Sequence, residues 1–377
     1  MRALTIYSFE SSRYRFLVSD LAQAIDRWNL RFFHVEGQES EAVFPLRSSR
    51  VDVTQVVDSL RRKENLETLA LFSEEMMTAF KPTLVKASPW PRLKALYLRR
   101  NPERPPPIPL ELNNLQFVSL LNPENLRDLL HQDAGLKGQL RLLDLSLLEV
   151  TDMDLLLNIL PSFNKLQGLI VEISSFEEFW NHPNFLGKLP YLPYLECLSI
   201  DWCGDANAQT LQHLATHCPR LTILSAKSMN LLLSQTSLKD LPQFTGLESI
   251  RVYGVIFSDA PDIIQADRVH ELAADWRRVF PRLRSVPFRT EDCDFPMDDA
   301  TFREENDKAQ SKYWGPRLYL IWKLCTILDY PGEGHYQEDG VDYRWKAELE
   351  TRVLGWPVVP LKAFQHKVGY STTRRRE

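Results

Sequence analysis

Apolar residues recur along the chain in one spacing, in which three apolar positions are separated first by two residues and then by one. In WPRLKALYL these positions are Leu93, Leu96 and Leu98, and in CPRLTILSA the first two are Leu221 and Leu224. The last two positions alternate as they would along a short β-strand, so both side chains point to the same side. Nine clear copies begin at residues 66, 93, 115, 140, 166, 195, 221, 247 and 283, and weaker copies begin at residues 1 and 30.

Helical spacing fills the intervals between these strands. Leu211 and Leu214 follow the helical period after Asp205 or Asn207, either of which can cap the start of a helix. A longer amphipathic stretch at 262–280 accounts for the longest interval, which separates the copies that begin at 247 and 283. The chain therefore predicts a strand and a helix in alternation.

The period and the pattern L-x-x-L-x-L are typical of leucine-rich repeats. Between residues 66 and 247 successive copies begin 22 to 29 residues apart. No single repeat can bury its apolar face alone, so stacked repeats share one continuous core. We therefore predict an α/β fold, a leucine-rich-repeat solenoid shaped as a horseshoe, with about eleven repeats over residues 1–290.

The junction between a helix and the next strand has its own pattern. In HCPRL we expect the helix to end near His217, Cys218 to pack as a small apolar side chain, Pro219 to block further helix and Arg220 to face solvent. In other repeats the same slot holds an apolar residue with a helix breaker beside or near it, as Trp-Pro, Phe-Pro, Leu-Pro-Tyr or Phe-Thr-Gly.

Residues 291–377 have a different composition and are predicted to form a separate region. An acidic linker at 291–308 comes first, and the apolar stretch 313–330 is predicted to be a helix that caps the open end of the array. The stretch 341–356 reads as a short amphipathic element, and a polar tail ends the chain.

Composition and charge exclude several classes of protein. A net charge of −5 argues against a general nucleic-acid binder. No apolar run approaches the ~18 residues that a membrane span needs. Five cysteines do not indicate a disulfide framework, and no Asn-x-Ser/Thr acceptor occurs. These features favour the cytoplasm or the nucleus.

The repeat LECLSIDWCGDANAQTLQHLATHCPRLTIL resembles the cysteine-containing leucine-rich repeat of F-box proteins. Cys203 and Cys218 occupy the two cysteine positions of that family. The other repeats keep the leucines and lose the cysteines, which is similar to the divergent arrays of fungal F-box proteins. The resemblance implies the substrate-recognition part of a ubiquitin-ligase receptor, with cullin-ligase components as partners. No F-box is visible before the first strand, so we expect one upstream of this sequence.

Motifs that carry catalysis are missing from the chain. HELAAD lacks the second histidine of a zinc-protease motif because residue 274 is Ala, and no phosphate-binding loop or nucleophile elbow occurs. Cys197, Cys203, His213 and His217 come near zinc-finger spacing, but strand geometry sends the two cysteines in different directions. We therefore predict no metal, no cofactor and no enzymatic activity.

The function is therefore expected on a surface, the concave face of the array. Positions three, five, seven and eight of each repeat should point there, and aromatic and Arg side chains dominate interfaces. Asp144, Glu172 and Asp201 are expected to form an acidic stripe that contacts a basic segment of a partner protein. The predicted partner-binding residues are Tyr97, Arg99, Arg100, Phe117, Asp144, Glu172, Asp201, Trp202, Lys227, Arg251, Tyr253 and Arg289.

Two alternatives stay open at this point. The C-terminal region could carry an enzyme, which a pocket with an acid–base pair would favour. The chain could also be a degenerate repeat protein with no partner.

Overall fold

The structure is a computed structural model of the chain, and it divides into two compact units, Met1–Ser175 and Phe176–Glu377. Both units combine parallel strands with helices, which confirms the α/β class. The predicted domain boundary after residue 290 lies outside the described residues. Those residues are 3–6, 15–36, 54–72, 90–98, 114–120, 138–148, 153–173, 185–200, 203–259, 266–284, 323–329 and 341–355.

In the first unit, each described strand pairs in parallel with the next described strand along the chain. The strands are β1 (Ala3–Ile6), β2 (Phe32–Glu36), β3 (Thr68–Phe72), β4 (Ala95–Leu98), β5 (Phe117–Leu120), β6 (Leu142–Leu148) and β7 (Gly168–Ile173). The described helices are α1 (Arg15–Arg27), α2 (Thr54–Arg61) and α3 (Met153–Ile159), which continues into a 3-10 turn at Leu160–Ser162. Helices α1 and α2 pack against each other.

The second unit repeats this arrangement around one long strand. The strands are β8 (Cys197–Ile200), β9 (Cys203–Asn207), β10 (Ile223–Leu233) and β11 (Ser249–Phe257). Strand β10 pairs in parallel with the other three. The helices are α4 (Ala208–His217), α5 (Gln235–Asp240), α6 (Ala266–Val279) and α7 (Val341–Leu354), with a 3-10 turn at Leu186–Lys188 and a short helix at 323–328.

The strand register brings equivalent positions of successive repeats side by side. In the second unit Leu198, Leu224 and Ile250 lie beside one another on β8, β10 and β11, and all three are buried. The prediction that Leu198, Ile200, Leu221 and Leu224 form core is confirmed. In the first unit the aligned and buried row is Leu69, Leu96, Val118, Leu143 and Leu169.

One backbone hydrogen-bonding pattern recurs at the start of nearly every strand. The carbonyl oxygen of Glu67, which follows the first leucine of its repeat, accepts the N–H groups of both Lys94 and Ala95, at 2.8 and 3.1 Å. A single carbonyl therefore anchors two consecutive residues of the next repeat. The same double acceptance occurs at the carbonyl oxygens of Arg31, Lys94, Gln116, Arg141, Glu196 and Thr222.

Side chains at the same position add a ladder that sequence reasoning missed. The Glu67 carboxylate accepts a hydrogen bond from Arg31 Nε at 2.7 Å and lies 3.3 Å from Lys94 Nζ. Three successive repeats are thus linked by alternating charges. The sequence signal was available, because Arg31, Glu67 and Lys94 each follow the first apolar position of their repeats.

The junction after α4 has the predicted geometry. The helix ends at His217, and the Cys218 N–H donates to the Leu214 carbonyl at 2.8 Å. Cys218 is buried, and this burial raises the pKa of its thiol to about 12. Pro219 and Arg220 are exposed. At the start of the helix, the Asn207 side chain accepts from the Thr210 N–H at 3.1 Å, so Asn207 is the cap.

The C-terminal region is described only in part. Of the predicted capping stretch 313–330, the described part contains the short helix at 323–328, and the Arg277 guanidinium of α6 donates to the Ile327 carbonyl at 2.5 Å. The amphipathic element expected at 341–356 is helix α7. No helix among the described residues is long and apolar enough to cross a membrane.

Candidate interaction surfaces

The strand face that was predicted to be open is buried in the first unit. Tyr97 and Phe117 are fully buried, and Asp144 is 1% exposed, so the expectation that these three side chains face solvent is wrong. Strands of parallel sheets are commonly covered on both faces, and such strands read as nearly continuous apolar runs. That signal was present, because the sequences of β4 and β5 are ALYL and FVSL, with little polar alternation.

The predicted acidic stripe does not form as expected. The Ser119 hydroxyl donates to Asp144 Oδ2 at 3.0 Å, and this hydrogen bond is buried. The register places Asp144 beside Ile170, so Glu172 lies two residues farther along β7 and is half-buried. Asp201 lies outside the described residues. The basic segment proposed for a partner therefore loses the feature that suggested it.

The same strand face becomes accessible at β11 in the second unit. Ser225 of β10 is buried, its neighbour Arg251 on β11 is half-buried, and Tyr253 is 45% exposed. Tyr253 is thus a predicted binding residue that lies on the surface. Lys227 belongs to β10, but its side chain is outside the described part. Also outside the described residues are Arg99, Arg100, Trp202 and Arg289.

A second surface, missed by sequence reasoning, lies where helices lead into strands. Tyr191 and Tyr194, in the turn before β8, are 62% and 44% exposed. The Arg220 guanidinium, in the turn after α4, lies 4.9 Å from the centre of the Tyr194 ring. We call Tyr191, Tyr194 and Arg220 the edge surface. Exposed Tyr and Arg side chains are the residue types that contribute most at protein interfaces.

Helix α4 holds the turn that carries these tyrosines. The Leu192 N–H donates to the His217 carbonyl at 2.8 Å, and the Leu189 carbonyl accepts from His213 Nε2 at 2.7 Å. Leu192 is buried between the two exposed tyrosines. The edge surface is therefore fixed by backbone contacts on both sides of Tyr191, so its aromatic side chains are positioned before any partner binds.

The candidate zinc ligands do not form a described metal site. His213 and His217 stack with ring centres 3.8 Å apart, and His217 Nδ1 donates to the His213 carbonyl at 3.0 Å. Cys197 is buried in β8, and the Cys203 side chain lies outside the described part. Within the described ranges, no group of three or more His, Cys, Asp or Glu residues is placed to hold a metal ion.

No protein-family model and no curated protein sequence matches this chain. The structure itself defines an α/β protein whose parallel strands follow the order of the chain within each unit. Any narrower assignment must come from the repeats and from the exposed residues.

Proposed function

We propose that this chain is a leucine-rich-repeat solenoid protein that binds another protein. Two features support the repeat assignment, namely the aligned apolar positions and the carbonyl groups that each accept two N–H groups from the next repeat. Each repeat contributes the same local structure, as expected of a chain in which neighbouring repeats share one core.

The observation that carries the binding proposal is the edge surface. Exposed aromatic side chains that are already held in place lose little conformational freedom when a partner packs on them. Tyr194 and Arg220 also stack on each other, so the pair presents one continuous plane. Tyr253 of β11 is a second exposed aromatic residue, and it serves as a comparison because it comes from the originally predicted face.

The test compares capture of partners by three forms of the full chain. A Tyr191→Ala/Tyr194→Ala double variant should lose the partners that the wild-type chain retrieves, whereas Tyr253→Ala should keep them. Both variants should melt within a few degrees of wild type, because surface substitutions usually change stability by about 0.5 kcal/mol or less. Unchanged capture by the double variant would refute the role of the edge surface.

A narrower proposal is that the chain reads substrates for a ubiquitin ligase. Its support is the resemblance to F-box repeats, together with the buried position of Cys218 at a helix end. The same capture experiment tests it. Cullin-ligase components should appear with the wild-type chain, and a specific partner recovered repeatedly without them would count against the ligase role.

A further inference from the structure

One face of β8 is covered although the strand sequence gives no apolar reason for it. Leu198 and Ile200 point into the repeat core, so strand alternation directs Cys197 and Ser199 to the opposite face. Cys197 is fully buried and Ser199 is 9% exposed. On the neighbouring strand, Ser225 lies beside Ser199 and is also buried. A small and partly polar strand face is therefore shielded from solvent.

Helix α7, from near the end of the chain, contacts β8. Arg352 Nη2 of this helix lies 3.5 Å from Oε2 of Glu196, the residue that precedes β8. The buried side chains of α7 recur at helical spacing and form one stripe, so the helix packs by a single face. Buried residues of the described part of α7 are Lys346, Ala347, Leu349, Glu350 and Leu354.

The buried stripe of α7 is unusual for a protein core. Lys346 is 5% exposed and Glu350 is 1% exposed, although Lys and Glu are almost never buried unless they are paired. Buried charges contribute little net stability, but they define register and select against wrong partners. This composition is that of a recognition interface between separately folded elements, which is more polar than a core.

We propose that the covered face of β8 is a binding site for an amphipathic helix, and that α7 occupies it from within the same chain. A partner helix of the same chemistry can replace α7. It would carry a Lys and a Glu four residues apart within an apolar stripe, and an Arg two residues after the Glu, as in KAELETRVL. This site is separate from the edge surface and does not depend on it.

The resident helix has a large advantage over a free one. Because α7 is tethered, its effective concentration at β8 is in the millimolar range for a short flexible connection. A free helix should therefore bind weakly to the wild-type chain and more tightly once α7 is displaced. This difference in affinity is what the experiment measures.

The probe is a fluorescent peptide with the sequence of residues 341–355, and the protein is the full chain throughout. Leu349→Asp in the protein should displace α7, and the peptide should then bind at least about ten-fold more tightly than to wild type. A peptide that carries the same Leu349→Asp change should fail to bind. Glu348→Ala, on the exposed side of α7, is the matched control and should behave as wild type.

A charge exchange keeps the test decisive if the Leu349→Asp protein does not fold. Arg352→Glu should loosen α7 and increase peptide binding, and the double variant Arg352→Glu/Glu196→Arg should return binding to the wild-type level. Equal peptide binding by wild type and both charge variants would overturn the proposal. Tyr191→Ala/Tyr194→Ala should leave peptide binding unchanged, which separates this site from the proposed function of the edge surface.

Sedimentation of the wild-type chain distinguishes the source of the helix. A monomer supports α7 binding within its own chain. A dimer that Leu349→Asp dissociates would assign the helix on β8 to a second copy, and the assignment within one chain would then be wrong.

Discussion

Acidification should destabilise the first unit through one buried histidine. His34 lies on β2 between Thr5 of β1 and Ala70 of β3, and it is 1% exposed. This burial lowers the pKa of His34 from its ordinary value of 6.5 to about 4. Between these two values the unfolded chain binds a proton that the folded chain excludes. The free energy of unfolding therefore falls as the pH is lowered from 6.5 to 4.

The size of the effect follows from the two pKa values. They differ by about 2.5, and each unit corresponds to about 1.4 kcal/mol, so His34 should reduce the free energy of unfolding by about 3 kcal/mol across this range. The contribution of His34 is fully present above pH 6.5. Below about pH 4 the folded state also binds the proton, and this residue causes no further loss.

Urea unfolding at several pH values, compared between wild type and His34→Gln, isolates this term from the carboxylates that titrate in the same range. The glutamine cannot take up a proton, so the difference in stability between the two proteins should shift by about 3 kcal/mol as the pH falls from 6.5 to 4. His270→Gln, at an exposed position of α6, should follow wild type. Parallel stability curves for wild type and His34→Gln would refute the reasoning.

Three further substitutions test the core, the charge ladder and the covered strand face. Leu198→Ala removes a fully buried side chain and should cost about 2–5 kcal/mol, and an unchanged thermal melt would contradict the register. Glu67→Ala leaves Arg31 and Lys94 without their shared carboxylate and should cost about 1–3 kcal/mol in urea unfolding, so a loss under about 0.5 kcal/mol would show that the ladder adds nothing. Asp144→Lys places a cation in a buried site beside Ser119 and should cost at least about 3 kcal/mol, whereas a wild-type melting temperature would contradict the burial.

The inward positions of the repeats could be predicted because local rules determine them. Alternation along a strand fixes which residues share a face, and the repeat period fixes which residues become neighbours. Leu69 and Leu96 were therefore assigned to the core without knowledge of any distant contact, and both are buried. The Cys218-Pro219 junction is equally local, since one residue fills the helix end and the next stops the helix.

The opposite strand face could not be predicted in the same way. Whether Cys197 and Ser199 are exposed depends on a helix that begins about 140 residues farther along the chain, at Val341. The sequence of that helix gave no warning, because Lys346 and Glu350 read as solvent-facing residues of an amphipathic element. Long-range packing of this kind is outside the reach of periodicity.

Tyr194 shows where a local rule does carry information about function. The residue before the first leucine of a repeat is Arg92, Arg220 or Arg282 in three other repeats, and each of these is exposed. Tyr194 occupies the same slot, while the buried Leu192 already fills the core beside it. Packing therefore gives no reason for an aromatic residue at this position, and its exposed ring holds apolar surface that only a further contact can bury. For that reason we place the binding surface at the helix-to-strand edge of the second unit, where the fold does not require the tyrosine.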